Sequence, residues 1–145
     1  MNNIGGFGLK LSVTASMTFP IGFIITQFAD DADPFDVPDI QIRDKAMGLN
    51  GDLISWGKAV PVSIKISVIP DSQDDINLSI LAKTNKVGAG RNPVTDVIGM
   101  IGTYPDGSVV ILTNGVMTDA PLASSVSSSG RMKSKTYSFA FENNI

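Results

Sequence analysis

Two stretches of strict alternation constrain the fold of this chain more than any other feature. Apolar residues occupy every second position at Leu9, Leu11, Val13, Ala15 and Met17. The same alternation recurs from Val60 to Val68, where Ser63, Lys65 and Ser67 take the opposite face. A period of two residues is typical of a β-strand with one buried face. The sequence therefore predicts a sheet-based fold.

The absence of two residue types narrows the range of possible functions. None of the 145 residues is cysteine or histidine. The chain therefore lacks the usual general base near neutral pH, the usual activated thiol and the commonest transition-metal ligands. Its net charge of -3 argues against a surface that grips nucleic-acid phosphates. We expect no enzymatic activity, no cofactor and no bound metal.

The hydrophobic content predicts association with another protein. Hydrophobic residues make up 43% of the chain and charged residues 17%, which leaves more apolar surface than a typical soluble monomer has. The length fits a single domain over residues 1–145. The stretch MNNIGGFGLKL lacks the pattern of a signal peptide, and no apolar run approaches the roughly 20 residues of a membrane span.

A long insert at about residues 29–59 interrupts the strand pattern. Its first part contains two prolines, which remove ladder donors, and the acidic residues Asp30, Asp31, Asp33, Asp36 and Asp39. A calcium loop is the alternative, but prolines stand where an EF-hand requires glycine and no glutamate closes it. The turn signal Asn50-Gly51 predicts a flexible hairpin tipped by LNGD. We predict an exposed insert that becomes ordered on binding.

One helix is predicted in DSQDDINLSILAKTNK. Asp71 or Ser72 is the candidate N-cap. Ser72 and Asp75 stand at capping-box spacing, with Asp in place of the preferred Glu or Gln. Ile76, Ile80 and Leu81 form the expected apolar stripe.

The remaining segments predict more strands. A first hairpin is expected around TFPIG, and a meander is expected through VTDVIGMIGTY and SVVILT, with a type I′ turn at Asn114-Gly115. The last strand places Tyr137, Phe139 and Phe141 on one face. The predicted fold class is mainly β, with one flanking α-helix and two packed antiparallel sheets.

Two charged patches predict a contact between subunits. Arg131, Lys133 and Lys135 alternate at strand spacing and complement the acidic stretch from Asp30 to Asp39. Complementary patches on one chain suit head-to-tail association. Arg43, the single arginine at the end of the acidic stretch, is a further candidate for contacts between subunits. Trp56, in the insert, is either a residue of a small satellite core or an interface anchor.

Several stretches resemble the tail tube proteins of tailed bacteriophages. KAVPVSIKISVIPDSQDDINLSILAK looks like their strand-then-helix segment, and GTYPDGSVVILTNGVMTDAP with GRMKSKTYSFAFE looks like their closing strands. The resemblance extends from about Leu9 to Glu142 and rests on element order rather than on an invariant signature. It implies two packed sheets, in a β-sandwich or barrel, and assembly into hexameric rings stacked as a tube for genome ejection.

The same resemblance implies partners and a location. Such a subunit binds copies of itself and the sheath, tape measure, baseplate and tail terminator proteins, in the virion tail after assembly in the host cytoplasm. The insert reaches the adjacent ring, and DNA passes without specific binding, which an acidic wall favours. Candidates for the lumen face are Lys10, Ser12, Ser63, Lys65 and Ser67, although the two lysines depart from a uniformly negative wall.

Three other functions compete with this interpretation. The tube of a phage-derived injection or secretion system shares the fold but carries protein cargo. A monomeric β-sandwich that binds carbohydrate requires exposed aromatic residues, for which Trp56, Tyr104 and Phe35 are the candidates. An aspartate-based hydrolase is least favoured, because no paired carboxylates are predicted at adjacent strand ends.

Overall fold

The computed structural model describes residues 4–143, and over that range the chain forms nine β-strands and a single α-helix. Every pairing between these strands is antiparallel. The predicted fold class, mainly β with antiparallel sheets and one helix, is confirmed. The elements are β1 (Lys10–Ala15), β2 (Phe19–Ile25), β3 (Phe35–Asp36), β4 (Arg43–Met47), β5 (Leu53–Gly57), β6 (Val62–Val68), α1 (Gln73–Asn85), β7 (Ile98–Thr103), β8 (Val109–Asp119) and β9 (Lys135–Phe141).

Seven of the strands form one sheet in the order β2-β1-β7-β8-β9-β6-β3. Its two halves share β8, which pairs first with β7 and then with β9. Buried side chains from both halves belong to one hydrophobic core. The two packed layers predicted from the sequence are therefore two halves of a continuous sheet that folds over on itself.

The alternating strands bury the faces that the sequence predicted. The buried residues of β1 and β6 come from the apolar positions of each alternation, with Ser67 in β6 as the exception, and β9 adds its three aromatic residues. These core residues are Leu11, Val13, Ala15, Val62, Ile64, Ile66, Val68, Tyr137, Phe139 and Phe141.

Asn114-Gly115 lies inside β8, so the type I′ turn predicted there is wrong. Asn114 has φ +53, and the register between β7 and β8 shifts between Ile98 and Met100. A residue with positive φ suits a β-bulge as well as a tight turn, because both depart from regular strand geometry. The bulge bends β8 where it passes from one half of the sheet to the other.

The strand β2 forms one edge of the sheet and carries two irregular residues. Pro20 lacks an N–H, which is tolerated at an edge. Gly22 has φ +87, and its bulge shifts the register between Val13 and Ala15. A Cβ at Gly22 would lie 2.8 Å from the carbonyl oxygen of Val13, so the bulge requires glycine. The predicted first hairpin forms, with its turn at residues 16–18.

The chain after β2 runs along the edge of β6. Phe28 forms a bridge with Val68, and the Ala29 N–H donates to the carbonyl oxygen of Ser67 over 3.0 Å. This segment brings the two ends of the sheet toward closure as a barrel. It also covers Ser67, which is 3% exposed and whose hydroxyl lies 2.9 Å from that of Thr136.

The helix begins as the sequence predicted but buries a different face. Ser72 is the N-cap, and its Oγ accepts a hydrogen bond from the backbone N–H of Asp75. Leu78 and Leu81 are buried, whereas Ile76 and Ile80 are exposed, so the predicted stripe is only partly right. The helix is 13 residues long, and no helix within residues 4–143 is long and apolar enough to cross a membrane.

Buried carboxylates determine which face of α1 meets the sheet. Asp74 Oδ2 accepts from the backbone N–H groups of Thr26 at 2.9 Å and Gln27 at 2.8 Å. Asp75 Oδ1 accepts from the Tyr137 hydroxyl at 2.7 Å. A buried carboxylate without partners is costly, so these contacts fix the rotation of the helix and leave Ile76 and Ile80 outside.

A third buried carboxylate joins the end of α1 to the first hairpin. Asp96 accepts from the backbone N–H groups of Met17 and Thr18, from the Thr18 hydroxyl and from the Asn85 amide. Burial raises the pKa of Asp96, but the hydrogen bonds from Thr18, Asn85 and Met17 outweigh it and hold the pKa below its usual value. The stability that Asp96 contributes is therefore fully present above the pKa that this carboxyl has in the unfolded chain. It is lost as the pH falls through the lower pKa of Asp96 in the folded protein.

Replacement of Gly115 by alanine tests the packing at the bulge. A Cβ there would lie 2.2 Å from Cδ1 of the buried Phe141 ring, and overpacking of this kind costs about 1–3 kcal/mol of unfolding free energy. Urea unfolding of Gly115→Ala measures the loss. Gly57→Ala is the matched control, because no atom lies within 4 Å of its added Cβ. Equal stability of the two variants would contradict the described bulge.

Candidate interaction surfaces

The strands β4 and β5 form a two-stranded sheet of their own, here called the hairpin. The N–H of Gly48 donates to the carbonyl oxygen of Asp52 over 2.8 Å, and Gly51 turns the chain with φ +91. The hairpin predicted around LNGD is thus present. None of the residues in its two strands is buried.

The hairpin exposes large apolar side chains. Leu53 is 67% exposed and Trp56 45%, and Ile42, Met47, Leu49 and Ile54 are exposed as well. Trp56 is therefore not buried in a satellite core, and its role as an interface anchor stays a prediction. Arg43 braces the two strands, since its Nε and Nη2 each lie 3.3 Å from an oxygen of Ser55.

Two of the residues predicted for contacts between subunits pair within the chain. Arg131 donates to both carboxylate oxygens of Asp30, over 2.6 and 3.0 Å. This hydrogen-bonded pair lowers the pKa of Asp30 and raises the pKa of Arg131. The Ser134 hydroxyl donates to Asp31. The contact of this patch with a second subunit stays a prediction.

The other charged candidates are spread over the surface. Lys135 Nζ lies 3.2 Å from Asp75 Oδ2, where both side chains are largely buried. Lys133 is exposed, as are Asp33 and Asp39, and Asp36 is half-buried in β3 opposite Lys65. The structure therefore does not bring Lys135 to the acidic stretch.

The lumen candidates lie on two chemically different faces. Lys10 and Ser12 share the outer side of the first half-sheet with the exposed residues Ile24, Ile101, Val109 and Ile111, here called the apolar face. Ser63 and Lys65 share the outer side of the second half-sheet with Ser138 and Ala140, here called the polar face. Ser67 lies on neither accessible surface because it is buried, so its exposure was wrongly expected.

An aromatic cleft lies beside β3, with a volume of about 1120 Å³. Phe35 and Tyr104 line it, with ring centroids 6.4 Å apart and planes tilted by 52°. Phe7 and Asp106 lie at the same cleft. Two of the three aromatic candidates for carbohydrate binding thus meet, whereas Trp56 lies on the hairpin. Within the described residues, no group of three or more side chains is arranged to hold a metal ion.

Comparison with known families accounts for almost the whole chain. Residues 2–145 match the family described as tail fiber protein gp32. The chain belongs to this family of phage tail proteins. A search of curated proteins gave no significant match. Membership of this family makes the chain a structural protein of the phage virion, as the resemblance implied. The family description names the fiber rather than the tube.

Sequence reasoning missed the apolar face of this tail protein. The alternation in β1 drew attention to Lys10 and Ser12, but the apolar members of the face come from neighbouring strands. The stretches VIGMIGT and VVIL are apolar at consecutive positions, which is the pattern of strands covered on both sides. That pattern was the available signal for an exposed apolar face.

Substitution of Arg131 tests its pairing with Asp30. The guanidinium holds the pKa of Asp30 below its usual value, so Arg131→Met should raise that pKa toward the usual value. Carboxyl ¹³C chemical shifts followed by NMR across a pH titration measure the change. Lys133→Met removes the same charge nearby and should leave the pKa of Asp30 in place. An Asp30 titration that is the same in all three proteins would exclude the pair in solution.

Proposed function

We propose that this chain is the subunit of the tail tube, which assembles into rings stacked as a hollow conduit for genome ejection. The exposed hairpin is the observation that carries the proposal. An isolated two-stranded sheet is marginally stable in water. Both faces of the hairpin expose apolar side chains, Leu53 on one and Trp56 on the other, and exposed apolar surface of this kind marks interaction sites. A neighbouring subunit that covers Leu53 and Trp56 would stabilise the hairpin.

Assembly from one kind of subunit requires two different contact surfaces. The hairpin and the apolar face are separate surfaces on the same chain, and both expose apolar side chains. Head-to-tail contacts between unlike surfaces give rings when the rotation closes. The hairpin is proposed for the contact between rings and the apolar face for contacts within a ring. Six subunits per ring is the number that the resemblance implies.

The polar face is the proposed wall of the bore. Apart from Val116, which pairs with Ala140, its accessible side chains are small or hydrophilic. Lys65 lies between Asp36 on one side and Ser138, followed by Asp119, on the other. Flanking carboxylates offset the one lysine, and the chain carries a net charge of -3. Such a wall does not retain phosphates as a wall rich in lysine and arginine would. Lys10 and Ser12 are assigned to the contact within the ring.

Negative-stain electron microscopy of the chain across a concentration series tests the proposal, with sedimentation as a check. We expect rings or hollow tubes of uniform width. A solid trimeric rod would favour a fiber, and a monomer at every concentration would contradict spontaneous assembly.

Substitution of the hairpin tests which surface drives stacking. Leu53→Ser with Trp56→Ser removes its apolar contacts, so we expect stacked tubes to be lost while the thermal unfolding of the core is unchanged. Val126→Ser is the control, because Val126 is about as exposed as Leu53 but lies outside the hairpin. Tubes of normal length from the double variant would show that the hairpin is not the axial contact.

The aromatic cleft favours carbohydrate binding as a second candidate function. Phe35 and Tyr104 offer ring faces, and Asp36 and Ser108 lie at the same cleft to accept or donate hydrogen bonds. A concave site with apolar walls and a few polar groups is the usual form of a ligand pocket.

A glycan screen followed by NMR titration tests this alternative. If the cleft binds a sugar, Phe35→Ala with Tyr104→Ala should abolish the chemical-shift changes, because the stacking surfaces are removed. Trp56→Ser should leave them intact, since Trp56 lies outside the cleft. No shift with any glycan of the screen would eliminate this function.

A further inference from the structure

A basic groove lies between the second half of α1 and residues 117–122, with a volume of about 640 Å³. The cations that line it, and define it here, are Lys83, Lys86, Arg91 and Lys135, against one carboxylate, Asp119. Asp75 neutralises Lys135. Within residues 4–143, the other three cations form no ion pair. The groove therefore offers an excess of positive charge.

The arginine of the groove is held in place by the helix. Arg91 Nη2 donates to the carbonyl oxygen of Lys83 over 2.7 Å, and its backbone N–H donates to Gly88 over 3.1 Å. Cations near the end of a helix are favoured by its dipole, which accounts for Lys83. Lys86 is the C-cap residue, and Arg91 binds a last-turn carbonyl, so the end of the helix gathers all three cations at one groove.

The acidic loop, residues 30–39, carries the opposite charge. Arg131 binds Asp30 and Ser134 binds Asp31. Asp33 and Asp39 are exposed, and neither forms an ion pair within residues 4–143. The carboxylates of Asp33 and Asp39 are therefore available to bind a cationic partner.

The loop and the groove belong to different parts of the second half-sheet. The loop leads into and out of β3 at the edge of the sheet, whereas the groove includes the end of β8 and Lys135 at the start of β9. Within residues 4–143, Asp33 and Asp39 form no ion pair with a cation of the groove. Complementary charges that stay unpaired within one chain suit contact with a second copy.

We propose that the acidic loop of one subunit docks in the basic groove of the next subunit of the ring. Asp33 and Asp39 are the anionic anchors, and Lys83, Lys86 and Arg91 receive them. This inference rests on the proposed function, because it adds a charged contact within the ring to the contact proposed for the apolar face. Such a contact weakens as the salt concentration rises, since exposed charges are screened.

Charge reversal on each side of the contact tests the proposal. The groove variant carries Lys83→Glu and Lys86→Glu, and the loop variant carries Asp33→Lys and Asp39→Lys. Each variant alone places like charges in every contact, so its self-association constant should fall about tenfold or more. Lys83→Arg with Lys86→Arg keeps the charge and is expected to associate like the parent chain.

Mixing the two variants gives the decisive measurement. In an equimolar mixture, the reversed groove faces the reversed loop and the normal groove faces the normal loop, so opposite charges meet at every contact. We expect sedimentation to show restored association, with alternating subunits, well above the association of either variant alone. Failure of the mixture to associate would overturn the proposal.

The same experiment separates this inference from the tube. Restored association without rings or tubes would contradict the tube and support the contact. Tubes that form from each variant alone would contradict the contact and leave the tube standing. Association that depends on added polyphosphate would overturn the proposal in favour of a nucleic-acid ligand.

Discussion

The buried carboxylates at the start of α1 hold the two halves of the sheet in one arrangement. Asp74 binds the backbone where the chain leaves β2, in the first half, while Asp75 binds Tyr137 in β9, in the second. Burial and the neighbouring Asp75 carboxylate raise the pKa of Tyr137, against the opposing effect of the Ser79 hydrogen bond, so its hydroxyl stays a donor. Removing one partner of such a buried set leaves an unsatisfied charge. One turn of helix therefore couples elements far apart in the sequence.

The position of α1 decides which surfaces face outward. Because its first turn is fixed on the sheet, its last turn lies against the end of β8 and forms the basic groove. The same constraint directs the segment after β2 along β6, and this segment leads into the acidic loop. The two charged surfaces thus depend on a shared internal network, and so does the distance between them. A change in the core would alter the relative positions of the acidic loop and the basic groove without altering a residue of either.

The predictable part of the fold is the part governed by local pattern. The alternation of β1 and β6 and the cap at Ser72 depend on neighbouring residues, and the sequence predicts them correctly. Asn114-Gly115 was misinterpreted because positive φ serves a bulge and a turn alike. The buried face of α1 was misjudged because its carboxylates find partners in remote strands. Asp30 and Arg131 are far apart in the sequence and are brought together only by the tertiary structure. Their positions in the sequence therefore could not show whether they pair within one chain or between two chains.

The irregular edges of the sheet affect how free copies of this chain can aggregate. Pro20 and the bulge at Gly22 interrupt β2, and β3 at the opposite edge is only two residues long. Interrupted or short edges resist the strand-to-strand pairing that leads to fibrillar aggregation. Free copies of the chain are thereby hindered from joining through their backbones. Any association between copies is left to side-chain contacts, which can separate again without unfolding a strand.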